Sequence, residues 1–194
     1  MKVYKKQKNI INRTKERIIE VARSLFSEYT YLGTSMSDIA KKLNITKAAL
    51  YYHFSGKEEI YKNVLDGTFN ELKLCITEAS NEKTSDKKLY RLIKGYLDFG
   101  LKEKNIIRAI MLKLSPGSSD IIKSIIKLRE EVVDLFRSLI KEVIQSKKQS
   151  REFDSNLVAS LLTGMIDGLL LEYSFLNKKI DSAKVSKQII AVLL

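Results

Sequence analysis

Apolar residues recur at spacings of three and four along most of the chain, which is the period of a helix with one buried face. Alternation of the kind that marks a half-buried strand is scarce. The first such helix is predicted over about Thr14 to Tyr29. Its apolar face holds Ile18, Val21, Ala22, Leu25, Phe26 and Tyr29. The pattern predicts an all-α protein.

Two short helices joined by a tight turn follow the first helix. Ser35 and Asp38 stand three residues apart, as in a capping box that starts a helix. Asn44 suits the turn, because Asn tolerates the left-handed backbone conformation. Thr46 provides the N-cap of the next helix, which ends near Phe54.

A long fourth helix is predicted after the next turn and runs to about Ala79. Ser55 precedes Glu58 by three residues, which predicts a second capping box at its start. The polar segment from Ser80 to Lys87 is expected to connect it to the rest of the chain. Further helices are predicted over about 87–102, 104–114, 120–147, 155–176 and 182–193.

Positive charge is concentrated at the N-terminal end of a chain whose net charge is +12. No acidic residue interrupts the basic side chains before Glu16. These are Lys2, Lys5, Lys6, Lys8, Arg13 and Lys15. Such a field attracts polyanions such as nucleic acid or an anionic membrane surface, and a solvated tail is the alternative.

Composition argues against several classes of protein. Cys75 and His53 are the only residues of their types, so no internal disulfide and no multi-histidine or Cys-based metal site is expected. No nucleophile–His–acid set and no Gly-rich phosphate loop is present, so we expect neither an enzyme nor a cofactor. No apolar run approaches a membrane span and no secretion signal is found, which predicts a cytoplasmic protein with no membrane partner.

Two short helices behind a basic segment describe a helix-turn-helix, whose second helix enters the major groove of DNA. Lys47, Ala48 and Ala49 open that helix and are small or basic, so they allow contact with base edges. Side chains further along can donate to phosphate oxygens. These are Tyr51, Tyr52, His53 and Lys57. From spacing alone, an αα-hairpin packed for stability is the alternative.

Residues 34–60 resemble the signature of the tetracycline-repressor (TetR) family of bacterial regulators, and the resemblance extends over about residues 13–65. The matching segments are Thr34-Ser35-Met36, Asp38-Ile39-Ala40, Leu43-Asn44-Ile45-Thr46, Leu50-Tyr51-Tyr52-His53-Phe54 and Lys57-Glu58. The resemblance implies a homodimeric all-α repressor with a variable C-terminal ligand domain. It also implies that Leu50 and Phe54 are core positions. The implied DNA-contacting positions are Ser35, Thr46, Lys47, Ala48, Ala49, Tyr51, Tyr52, His53 and Lys57.

Two residues depart from the family pattern, which usually has Gly at both positions. Thr30 stands where the first helix ends, and Thr is poor at a left-handed cap, so we expect that corner to be built differently. Asn44 stands in the turn and tolerates the required conformation, so the turn itself is expected to be kept.

In the C-terminal half, Gly164 and Gly168 lie four residues apart, beside Leu161, in the predicted helix 155–176. Because the family's last two long helices usually form a dimer bundle, the resemblance implies that these three residues lie in a dimer interface, and intramolecular core is the alternative. A ligand pocket is expected between about residues 87 and 176, although aromatic and Met residues at helical spacing are usually core. Candidate lining residues are Tyr90, Tyr96, Phe99, Met111, Phe136, Met165 and Tyr173. We see no charged cluster that identifies a ligand.

The sequence thus predicts a basic arm over 1–12, a helix-turn-helix DNA-binding domain over 13–60 and a ligand-binding and dimerisation domain over 61–194. The expected function is a sequence-specific regulator, a repressor that binds a palindromic operator in double-stranded DNA as a homodimer and is released by a small-molecule effector. Two alternatives are an all-α ligand carrier or enzyme, whose helix pair is structural, and a non-specific basic DNA-binding protein.

Overall fold

The computed structural model describes residues 2–111, 119–146, 154–176 and 179–193, with side chains over 12–107, 120–146, 154–176 and 179–192. Over these residues the chain is all-α, as predicted, and contains no strand. The helices are α1 (Lys2–Gly33), α2 (Met36–Leu43), α3 (Lys47–His53), α4 (Lys57–Ser80), α5 (Ser85–Lys102), α6 (Lys104–Met111), α7 (Ser119–Ser146), α8 (Ser155–Leu176) and α9 (Ser182–Leu193).

The chain divides into two compact units. The first contains the described residues of 1–68 and 105–117, and the second contains those of 69–104 and 118–194. α4 contributes residues to both units, and the domain boundary predicted at residues 60 and 61 falls inside this helix.

α1 begins at Lys2, well before the predicted start at Thr14. The early segment has no Pro or Gly and is rich in Lys, which a helix accommodates at little cost. Thr30 interrupts α1 with φ 64° and ψ 173°, outside the left-handed helical region. The corner is therefore built differently from a glycine cap, as the sequence predicts.

The core of the first unit lies between α1, α2, α3 and the start of α4. Its fully or almost fully buried residues include Ile18, Ala22, Phe26, Ile39, Leu50, Phe54, Ile60, Tyr61 and Val64. Tyr29 was expected on the buried face of α1 but is 52% exposed. It is the last residue before the kink at Thr30 and lines a surface groove instead.

In the second unit, α5 packs against α7, α8 and α9, and α7 packs against α8. The buried residues include Leu92, Ile93, Leu97, Phe136, Ile140, Val143, Leu162 and Ile166. Gly100 of α5 allows a close approach to α8, because a Cβ there would overlap the side chain of Leu170.

The length and apolar character of α8 bear on the expectation about membrane spans. No apolar run of membrane-spanning length was expected, yet α8 (Ser155–Leu176) is long and apolar enough to cross a membrane by length and composition. It meets this criterion because it is apolar on the face that enters the core and also on part of the opposite face. A single helix of this kind is weak support for a span, since core helices of soluble proteins pass the same test.

Candidate functional site

The start of α2 is fixed by the predicted capping box. The Ser35 hydroxyl oxygen accepts a hydrogen bond from the backbone N–H of Asp38 at 3.1 Å. The Asp38 carboxylate accepts one from the backbone N–H of Ser35 at 2.8 Å and one from its hydroxyl at 2.6 Å. These bonds lower the pKa of Asp38, because they favour its charged form. The box anchors the first turn of α2 next to Ser35, which remains a predicted phosphate contact.

The turn between α2 and α3 also has the predicted geometry. Asn44 adopts φ 56° and ψ 44°, in the left-handed region. Its N–H donates to the Lys41 carbonyl at 3.1 Å, and the N–H of Ile45 donates to the Ala40 carbonyl at 3.0 Å. Thr46 then caps α3 by accepting from the N–H of Ala49 at 3.1 Å. These bonds hold the orientation of α3 relative to α2.

α3 has one buried side and one exposed side. Leu50 and, directly after the helix, Phe54 are buried, as expected of core positions. The opposite side presents Lys47, Ala48, Ala49, Tyr51 and Tyr52, all exposed, with Tyr52 76% exposed. The structure thus brings five predicted DNA-contacting residues together on one free surface.

His53 is half-buried at the end of α3. Its ring lies edge-on to the ring of Tyr52, with centroids 5.1 Å apart. The Nδ1 atom is shielded from solvent and has no hydrogen-bond partner among the described residues. Because Nδ1 makes no such bond, the contact with the Tyr52 ring is what orients the His53 ring, which we predict to contact DNA.

Lys57 has partners within the protein that the sequence did not reveal. Its ammonium donates to the carbonyls of Tyr31 and Thr34, both at 2.8 Å, and lies 4.1 Å from the centroid of the Tyr31 ring. Two of its three N–H donors thus hold the end of α1 against the start of α4. The contact of Lys57 with phosphate stays a prediction, and the third N–H group of the ammonium is the donor left to make it.

The capping box predicted between Ser55 and Glu58 is wrong. α4 begins one residue later than that pairing requires, with the Gly56 carbonyl accepting from the N–H of Ile60. Glu59 therefore occupies the third helical position and accepts from the N–H and the hydroxyl of Ser55, both at 2.7 Å. The hydrogen bonds from Ser55 lower the pKa of Glu59.

The predicted pocket residues of the second unit lie in different environments. Phe99 and Phe136 are buried, and Phe136 contacts the ring of Tyr96 edge-on, with centroids 6.1 Å apart. Tyr90 and Tyr173 are half-buried, whereas Met165 is exposed. The side chain of Met111 lies outside the described residues. The assignment of all seven to a ligand pocket stays a prediction.

The second unit contains a cluster of charged and polar side chains that the sequence analysis did not identify. Arg129 of α7 pairs with Asp167 of α8 at 2.5 Å and donates to the Tyr96 hydroxyl of α5 at 3.2 Å. The Tyr96 hydroxyl donates to Asp167 at 2.9 Å. Burial raises the pKa of Asp167, and Arg129 opposes that rise; burial and the Asp167 carboxylate raise the pKa of Tyr96.

Sequence reasoning missed this cluster because its members come from three helices far apart in the chain. One signal was available: Asp167 is the only acidic residue between Ser155 and Leu171 of the apolar helix α8. A carboxylate in such a segment is buried only with a partner. The position alone identifies a polar interaction without naming Arg129 or Tyr96.

The predicted dimer residues lie on the outer face of α8. Leu161 is 58% exposed, and Leu157 and Met165 are exposed beside it. A Cβ added at Gly164 or Gly168 would have no described atom within 4 Å apart from its chain neighbours and the backbone of its own helix. These residues therefore do not form the intramolecular core that was the alternative, and their side of α8 is open.

Comparison with known proteins finds similarity over both units. Residues 18–64 match the family described as bacterial regulatory proteins, tetR family. IcaR of Staphylococcus aureus (strain Newman), the negative transcriptional regulator of the biofilm operon icaADBC, is 34% identical over 179 residues, covering 89% of this chain and 90% of that protein. The crystal structure of PfmR from Thermus thermophilus has a TM-score of 0.77 at 22% identity, covering 92% of this chain and 97% of PfmR. A transcriptional regulator from Aquifex aeolicus has a TM-score of 0.69 at 26% identity, covering 93% of this chain and 97% of that one.

Proposed function

The chain belongs to the TetR family of bacterial regulatory proteins, and we propose that it binds an inverted-repeat operator as a homodimer, represses transcription there, and is released by a small-molecule effector. A TetR-family protein of this kind is a transcriptional regulator and not an enzyme. Repression is proposed because the similar protein IcaR is a negative transcriptional regulator. Operator binding, dimerisation and effector release each rest on a separate part of the structure.

The exposed side of α3 supports the operator-binding part and is the observation that carries the proposal. Lys47, Ala48 and Ala49 contact base edges in the major groove, where short side chains allow close approach. Tyr51 and Tyr52 donate to the flanking phosphates. Leu50 and Phe54 fix this surface from beneath, so that it meets DNA without rearrangement of the helix.

The outer face of α8 supports dimerisation with a second copy of the chain. Exposed apolar residues at a spacing of four, Leu157, Leu161 and Met165, form a stripe that a partner helix would cover. Gly164 and Gly168 lie beside the stripe with open space over them, which lets a second helix backbone approach closely. A twofold dimer presents two α3 helices, as an inverted repeat requires.

The cluster of Tyr96, Arg129 and Asp167 supports effector binding in the second unit. It places polar groups next to the buried ring of Phe136, the combination of apolar lining and few polar groups that small-molecule sites use. An effector bound there changes the spacing of the two α3 helices, and couplings of this kind amount to about 1–3 kcal/mol. The protein would act in the cytoplasm, where the operator is.

Selection of bound duplexes from a random pool by the full chain tests the proposal. We expect an inverted repeat whose half-site centres lie about 34–36 Å apart, one turn of DNA, or slightly more. Specific binding should exceed binding to random DNA by at least about 10³-fold at physiological salt. Enrichment of no sequence would favour the non-specific alternative, and enrichment of a single half-site would contradict the dimer.

A further inference from the structure

The first unit carries a groove lined by none of the DNA-contacting residues proposed above. α1 forms one wall, and the end of α2 with the turn that follows it forms the other. The volume is about 310 Å³. The lining residues are Arg13, Thr14, Arg17, Ile18, Leu43 and Ile45.

Two guanidinium groups border this groove over an apolar floor. Arg13 and Arg17 are four residues apart on α1, so their side chains lie on one face with Cβ atoms about 5–6 Å apart. Both are exposed, whereas Ile18 and Leu43 are buried beneath them. The groove is thus wide open to solvent on its charged side.

The charge of these two arginines is not neutralised within the described part of the chain. Glu16 and Glu20 stand three residues after Arg13 and Arg17, a spacing at which helical ion pairs form. Neither pair forms among the described residues. Lys15, in contrast, lies over the ring of Phe54, 5.2 Å from its centroid. The two guanidinium groups are the forked donors that match a phosphate.

The groove opens beside the turn that leads into α3. Ile45 of its wall directly precedes Thr46, the N-cap of α3. When the second helix of a helix-turn-helix enters the major groove, the first helix crosses the sugar–phosphate backbone, and the end of that first helix, α2, is one wall of this groove. Contacts there fix the register and orientation of the protein on the duplex.

We propose that Arg13 and Arg17 bind neighbouring phosphates of one DNA strand and thereby set the position of α3 in the major groove. The proposal rests on the proposed function, since it needs α3 to enter DNA. It adds a second anchoring surface, on α1, to the phosphate contacts predicted at the end of α3. Because phosphates carry no sequence, this surface acts on specific and random DNA alike.

Salt-dependent binding to a random-sequence duplex of about 30 base pairs tests the proposal. The variants are Arg13→Gln, Arg17→Gln and the double variant of the full chain, since Gln keeps the stem and the helix propensity but removes the charge. Each neutralised phosphate contributes about 0.9 to the slope of log affinity against log salt. We expect each single variant to lower the slope by about 0.9 and the double variant by about 1.8.

Lys87→Gln is the matched control, because Lys87 is exposed at the start of α5 in the second unit and its loss changes the net charge equally. Its slope should equal that of the unchanged protein, and an equal drop would overturn the proposal as a mere net-charge effect. Unchanged slopes in both arginine variants would overturn the groove assignment alone. Absence of salt-dependent duplex binding by the unchanged protein would overturn the proposed function itself. Equal thermal midpoints for all variants would exclude unfolding as the cause.

Discussion

Thr30 shows at the scale of one residue how the fold accommodates an unfavourable backbone. Its φ of 64° and ψ of 173° lie in a region that is essentially restricted to glycine. The Thr34 hydroxyl compensates in part by donating to the Thr30 carbonyl at 2.9 Å. The strain at such a position amounts to about 1–3 kcal/mol.

We therefore expect Thr30→Gly to stabilise the first unit by about 1 kcal/mol. Glycine removes the backbone strain at this position, but its greater conformational freedom in the unfolded chain offsets part of that gain. Thr77→Gly, at an exposed helical position of α4, is the matched control and should destabilise by a similar amount. Urea unfolding of both variants measures the difference. Destabilisation of the same size at both positions would show that Thr30 is not strained.

Asp38 gives a second prediction at this scale, through its lowered pKa. A carboxyl whose pKa is lower in the folded state stabilises the protein above its unfolded pKa, near 4, and loses that effect as the pH falls through the folded value. Asp38→Asn should thus lower the thermal midpoint at pH 7. The gap to the unchanged protein should close below pH 4, whereas a gap independent of pH would contradict the ionic capping box.

At the scale of the elements, Arg129, Asp167 and Tyr96 join α7, α8 and α5. Arg129→Met leaves the carboxylate of Asp167 without its cation, and we expect a loss of about 2 kcal/mol, less than for a fully buried pair because Arg129 is partly exposed. The raised pKa of Asp167 implies that its favourable effect is present at low pH and is lost as the pH rises through the folded value.

The loss caused by Arg129→Met should therefore be smaller near pH 4 than at pH 7, because protonated Asp167 needs no cation. Chemical unfolding at the two pH values measures this. Arg91→Met, which breaks the exposed pair with Glu82, should cost less than about 1 kcal/mol at both. Equal losses for the two variants would mean that the cluster does not join the helices.

Comparison of the predicted with the observed helices shows which features the sequence alone predicts. Periodicity predicted α8 and α9 to the residue, and capping chemistry predicted the starts of α2 and α3, because these signals lie within a few residues of each other. The early start of α1 was missed, because the segment was interpreted from its charge and its few apolar residues were not tested for a helical period. The partners of Lys57 and Asp167 within the protein were not predicted, because they lie 26 and 38 residues away, where only the packed structure shows them.

At the scale of the whole molecule, the proposal that two chains pair through the outer face of α8 gives a testable prediction. A Cβ at Gly164 or Gly168 meets no described atom beyond the backbone of its own helix, and Leu favours a helix more than Gly does, so we expect Gly164→Leu and Gly168→Leu to leave the thermal midpoint of the single chain unchanged or slightly raised. They should weaken self-association and cost full-operator affinity far more than half-site affinity, since they push two helix backbones apart. Sedimentation and binding to full and half operators measure these effects.

Gly67→Leu is the control for that experiment, because Gly67 is also exposed in a helix with open space over it but lies on α4. It should leave self-association and operator binding unchanged. The unchanged protein should dimerise at micromolar concentration. If it stays monomeric both free and on DNA, that result contradicts the proposed dimer and much of the proposed mechanism.

The open stripe on α8 also bears on how cells would use the protein. If pairing through Leu157, Leu161 and Met165 is in equilibrium at cellular concentrations, the number of operator-competent dimers rises with the square of the number of chains. While most chains are unpaired, doubling the number of chains nearly quadruples the number of operator-competent dimers. Once most chains are paired, the number of dimers rises only in proportion to the number of chains. Gene dosage would thus set how sharply the regulated genes are silenced, independently of any effector.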